Sequence, residues 1–177
     1  MTATSNLEKD HIHILKLCDV MEKIISGGEL NAAHLEKIIS SIRNYADGLH
    51  HKKEEEFLFP LMSEKGFPMK GGPIAVMLND HEAGRAYVRG MDSSLSAYKS
   101  GDSKARDAVF ANMQGYVDLL RSHISKENNV LFRMADNAIS SEEQKALLAE
   151  FEKVDAMGSV SDYITSIDGL SVIYGTE

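Results

Sequence analysis

One pattern occurs twice in this chain. Asp10-His11 followed by His50-x-x-x-Glu54-x-x-x-Leu58-Phe59 recurs as Asp80-His81 followed by His123-x-x-x-Glu127-x-x-x-Leu131-Phe132, a shift of about seventy residues. A repeat of that length folds as the same unit twice, so the chain is read as two matching hairpins. The hairpins are helical. Leu7, His11, Ile14, Leu15, Cys18 and Met21 fall on one helical face, as do Val109, Met113, Tyr116, Val117 and Leu120, whereas alternating β-branched runs are nearly absent before residue 158.

Punctuation residues divide the helices. The first is expected over about 6–26, opened by a Ser5/Glu8 capping box and closed by Gly27-Gly28. Asn31 caps a second helix running to about residue 65, with Pro60 expected to bend or break its last turn. Pro73 opens a third that reaches about Ser100, and a fourth runs from about Ser103 to Met134. Ser140 with Glu143 starts a shorter one to about Met157. The Ser-, Gly- and Asp-rich remainder is expected to form at most one short helix and a frayed tail. The fold class is therefore all-α: an up-down-up-down antiparallel four-helix bundle over 1–139, with 140–177 a helix and tail packed on or beside it.

Composition narrows the function. Lys+Arg number 19 against 27 Asp+Glu, a formal charge of −8, which disfavours nucleic acid and anionic membranes as partners. The single cysteine, Cys18, forms no internal disulfide and no cysteine-rich cluster site, and on the His11 face it reads as core filler. No apolar run approaches the ~20 residues of a membrane span, and the polar start lacks an export signal, so a cytoplasmic location is expected.

Residues four apart share a helix face, so His50 with Glu54, and His123 with Glu127, each present imidazole and carboxylate to one point. Heights agree as well. At 1.5 Å per residue His11 and His50 lie roughly 24 and 28 Å from their connecting turn, and His81 and His123 both roughly 30 Å from theirs. His11, His50, Glu54, His81, His123 and Glu127 are thus expected in one layer of the bundle. Four imidazoles and two carboxylates buried together need a compensating charge, and a pair of divalent metals supplies it. Nitrogen and carboxylate donors without thiolate suit iron or manganese, with zinc admissible, and suit calcium or magnesium poorly. His51 lies in register with Glu55, but the repeat aligns it with Ile124, so it is expected to support the ligands or to face the surface. His13 and His34 are expected to be solvated, and Glu55 and Glu56 to form a wet helix face.

Asp10-His11, the run from His50 to Pro60, Asp80-His81-Glu82-Ala-Gly84-Arg85, and His123-Ile-Ser-Lys-Glu127-Asn-Asn-Val-Leu-Phe132 together resemble the hemerythrin-like, or HHE cation-binding, family over roughly residues 6–135. The resemblance implies a four-helix bundle around a non-haem di-iron centre, bridged by Glu54, Glu127 and an oxo or hydroxo group. His11, His50, His81 and His123 would be its terminal ligands. Ferritin-like bundles instead use Glu-x-x-His at three-residue spacing. Oxygen-carrying members add a histidine one turn after the third-helix ligand, where this chain has Arg85, and an aspartate in the last helix, where it has Glu127. Of about twelve octahedral positions roughly two then stay open. The expected role is to bind or sense dioxygen or a related small oxidant. The alternative is a stress-response enzyme acting on peroxide or nitric oxide, or linked to iron–sulfur cluster repair and iron handling. Tyr45, Tyr116 and Arg85 are the candidate hydrogen-bond or proton donors.

Overall fold

A computed structural model describes residues 2–176, which form six helices and no strand. Helix α1 is Ala3–Gly27, α2 spans 32–64, α3 is Pro73–Lys99, α4 spans 105–138, α5 is Ser141–Asp155 and α6 is Val160–Tyr174. The first four build the up-down-up-down bundle. Helix α1 begins earlier than the expected residue 6, because Thr2 rather than Ser5 is the cap: its side chain accepts from the Ser5 N–H while Ser5 Oγ accepts from the Thr2 N–H. The other punctuation is as expected. Gly28, with φ of 71°, ends α1 in the left-handed conformation that glycine tolerates best, Asn31 caps α2, and Ser140 with Glu143 forms the box that opens α5.

Helices α2 and α4 are not uniform. Ile42–His51 and Glu54–Leu58 in α2, and Glu127–Leu131 in α4, adopt the wider π spacing. The two five-residue π turns start on Glu54 and Glu127, matched positions of the repeat, and are closed by Phe59 N–H to Glu54 O and Phe132 N–H to Glu127 O. Pro60 does not break α2. It falls in the first turn of the α segment Phe59–Glu64 that follows the π turn, where a missing N–H is tolerated, and the helix continues to Glu64.

The core is split in two. One apolar cluster, including Leu17, Met21, Ile38, Met91, Met113 and Val117, fills the bundle toward its α1/α2 and α3/α4 turns. The other, including Leu7, Leu58, Phe59, Ile74, Leu131 and Phe132, closes the opposite end. The duplicated polar residues occupy the layer between them.

The C-terminal residues depart from the expected short helix and frayed tail. Val160, Tyr163, Ile167, Leu170 and Tyr174 recur at helical spacing and pack with the first cluster, so α6 is a 15-residue helix laid on the bundle. Lys16 Nζ donates to Asp168 at 2.6 Å. His34, expected in solvent, is instead half-buried with its Nδ1 2.7 Å from the Tyr174 hydroxyl. Leu147 and Phe151 of α5 join the second cluster. No described helix is long and apolar enough to cross a membrane.

Candidate metal centre

The structure brings all six sequence-predicted residues together, each at most 2% exposed. His11 Nε2 lies 3.1 Å from His50 Nε2, and the His81 and His123 rings are 4.9 Å apart, centroid to centroid. The carboxylates sit across the halves. Glu127 places Oε2 3.3 Å from His11 Nε2 and Oε1 3.2 Å from His123 Nε2, while Glu54 Oε2 is 3.8 Å from His50 Nε2 and 3.4 Å from His81 Nε2. Donor atoms of His11, His50 and Glu127 form one group within 4.8 Å, and those of Glu54, His81 and His123 form another that also takes in His51.

The repeat supplies the supports too. Asp10 accepts from His50 Nδ1 at 3.2 Å, and its equivalent Asp80 accepts from His123 Nδ1 at 3.3 Å. Each Asp-His pair therefore contributes a donor from one residue and fixes a partner-helix imidazole with the other. Lysines at matched positions reinforce both: Lys53 Nζ reaches Asp10 at 2.8 Å, and Lys126 Nζ reaches Asp80 at 2.5 Å. The residue after each glutamate completes the set, Asn128 Oδ1 lying 2.8 Å from His11 Nδ1 and Glu55 Oε1 2.6 Å from His81 Nδ1. Sequence reasoning missed these roles. Glu55 is not a wet-face residue but a support for His81, whereas Glu56 is exposed as expected. Lys53, 1% exposed, also pairs with Asp155 at the end of α5, 2.8 Å away. For the lysines the signal was present in the repeat, which aligns Lys53 with Lys126.

His51 does not face the surface, one of the two places expected for it. It is buried, its ring stacked on His81 at 3.8 Å and 13°, with Nδ1 3.1 Å from Asp47 Oδ1. His13 is only half-buried and stands outside the layer, and Cys18 is fully buried in the apolar core, where burial pushes its thiol up to about 12.

The electrostatics favour neutral His50 and His51, whereas His123, despite its burial, is raised by Glu127 and Glu54. Burial draws His50 down to about 4 and His51, with the neighbouring His81, down to about 3. Burial works against ionised Asp10, but His50 and Lys53 outweigh it and hold the carboxyl at about 2. Burial and then the adjacent charge of Glu127 push Glu54 well above the usual carboxylate range; Glu127, despite its own burial, is held low by His123 and His11.

These residues fit a cation. Both oxygens of Glu54 and of Glu127, with Nε2 of His81 and of His123, are buried and take no hydrogen bond. With Nδ1 of His11 and His50 donating outward, their two Nε2 lone pairs face one another at 3.1 Å. Two nitrogens bound at right angles to one ion at ~2.1 Å stand about 3.0 Å apart, so an ion turns this repulsion into attraction.

Comparison with known proteins agrees. The family described as hemerythrin HHE cation binding domain matches residues 2–135. The chain belongs to this family. An uncharacterized protein of Mycobacterium tuberculosis is 21% identical over 156 residues, covering 86% of this chain and 60% of that protein. An iron-sulfur cluster repair protein, YtfE, of Edwardsiella ictaluri is 29% identical over 125 residues, 69% of this chain and 56% of its own length. The same-named protein of Dickeya chrysanthemi is 32% identical over 89 residues, 49% of this chain and 40% of its own. The chain thus spans 60% or less of the length of these curated relatives. No solved structure matches.

In this hemerythrin-family bundle the His81 half of the layer opens onto a cavity. The cavity, of about 200 Å³, reaches His51 and His81 and is walled by Asp47, Arg85, Val88 and Tyr116. Of the three candidate donors, Tyr45 gives its hydroxyl to Asp10 at 3.1 Å, and Arg85 is engaged by Asp47, Glu55 and Glu82. Tyr116 differs. Its hydroxyl is buried without a hydrogen bond, and burial pushes it well above the usual phenol range, so it remains a donor.

Proposed function

We propose that this chain holds two iron ions, one on His11 and His50, the other on His81 and His123, with Glu54 and Glu127 bridging them, and that it binds or senses dioxygen or a related small oxidant. The observation that carries this reading is the pair of buried carboxylates, each lying between imidazoles of both halves and each without a hydrogen bond. Manganese or zinc would satisfy the same donors. Iron, when bound, supplies redox chemistry and open coordination positions to a small ligand. The chain's own residues do the rest. Asp10, Asp80, Asn128 and Glu55 hold the imidazoles with Nε2 inward, the apolar clusters on either side exclude water, and the Tyr116 hydroxyl offers one hydrogen bond to whatever occupies the cavity.

Residues 1–139 carry the centre in this reading, with 140–177 packed against them, and the protein works in the cytoplasm. A second reading is a di-iron stress-response enzyme acting on peroxide or nitric oxide, or linked to iron–sulfur cluster repair and iron handling, the last favoured by the relatives named for that repair. Anaerobic reconstitution with iron(II), followed by metal analysis and absorption spectra before and after air, separates the two. Two irons per chain with charge-transfer bands that appear in air and vanish on its removal support binding or sensing. Rapid disappearance of added peroxide or nitric oxide supports the enzyme, and iron-free protein after reconstitution contradicts both.

A further inference from the structure

Five histidines of the polar layer are buried, and the ligand set above uses four. In each of the four, Nδ1 is tied to a side-chain oxygen, Asn128 for His11, Asp10 for His50, Glu55 for His81 and Asp80 for His123, which turns Nε2 to the centre. His51 has the same arrangement. Asp47 Oδ1 lies 3.1 Å from its Nδ1, and no other hydrogen bond of its ring is found among the described residues. A metal-ligating imidazole is almost always held this way through its other nitrogen. Its ring stacks flat on His81 and meets His123 edge-on at 5.9 Å, and its donor atom lies within 4.8 Å of those of Glu54, His81 and His123.

We propose that His51 is a further metal ligand, the third imidazole of the His81, His123 and Glu54 half. The proposal rests on the two-metal reading above. It also makes the halves unequal, because the matched position in the other hairpin is Ile124, a buried residue of the apolar core. His51 lines the cavity beside Arg85 and Tyr116, so its imidazole closes the side of the centre that the cavity reaches. Removing the ring opens a coordination position there, which a small neutral base can fill.

Zinc(II), which is diamagnetic, tests this on the unaltered protein. Long-range nitrogen-15 spectra of the imidazoles, recorded before and after two equivalents of zinc, should show five Nε2 resonances displaced, the His51 signal being assigned by its contacts with the His81 ring. Displacement of the other four with His51 unmoved overturns the proposal and leaves the two-metal reading standing. If no imidazole moves, both fall. His51→Gln should retain one site unchanged and weaken the other on the order of 10- to 100-fold. In iron-loaded His51→Gly the absorption spectrum should differ from the unaltered protein and return toward it on adding imidazole. Identical spectra without imidazole would also overturn the assignment.

Discussion

At the scale of single residues, the centre is built from paired roles rather than from isolated ligands. Asp10 and Asp80 each precede a donor histidine and hold the imidazole of the neighbouring helix, so their loss should be felt by the metal before the fold. Asp10→Asn or Asp80→Asn is expected to weaken metal binding on the order of 10- to 100-fold, measured by competition with a chromophoric chelator, with helix content by circular dichroism unchanged. Glu54 is expected to behave differently with and without metal. Its carboxyl is held neutral by burial and by Glu127, so Glu54→Gln should alter the unfolding free energy of the metal-free protein in urea by less than about 1 kcal/mol, while Glu54→Gln with Glu127→Gln abolishes two-metal loading. A double variant that still binds two irons would contradict the bridging role. The six donors were legible because the repeat displays them twice. His51 and Glu55 were not, since their matched positions hold Ile124 and Asn128, and duplication by itself hides whatever one half does alone.

At the scale of elements, the four long helices could be read from apolar periodicity, but their winding could not. The π turns beginning at Glu54 and Glu127 carry no residue signature of their own, although both start at the polar layer. Pro60 illustrates the consequence, being harmless in the turn that follows one of them. The C-terminal helix was obscured by its Ser, Gly and Asp content, although Val160, Ile167, Leu170 and Tyr174 keep the 3.6-residue period. Helix α5 contributes energetically, because Phe151 is fully buried against the end of the bundle and stands over Lys53. Phe151→Ala is expected to destabilise the fold by about 3–5 kcal/mol in urea denaturation. A loss under about 1 kcal/mol would mean that α5 is peripheral to the bundle.

At the scale of the whole molecule, a polar layer between two apolar clusters makes stability depend on pH and on metal together. His50 and His51 stay neutral in the fold down to about 4 and about 3, whereas in the unfolded chain they take up protons near the ordinary histidine value of 6.5. At these two sites the unfolded state binds more protons across that window; Glu54, which the fold keeps protonated above its ordinary 4.5, opposes them as a single group, so the metal-free protein should lose stability on the order of a few kcal/mol as pH falls from about 7 toward 4. Asp10, held at about 2 against an ordinary 3.8, extends the loss below pH 4. Thermal melts across this range test the direction, and flat melting temperatures between pH 7 and 4 would refute it. Metal should raise the melting temperature at neutral pH and lose its effect as the imidazoles protonate. Most direct of all is a crystal grown after anaerobic iron(II) loading, with anomalous scattering recorded at the iron edge. Two peaks are expected, one beside His11 and His50 and the other beside His81 and His123, with Glu54 and Glu127 reaching both; peaks elsewhere, or none within the layer, would contradict the account.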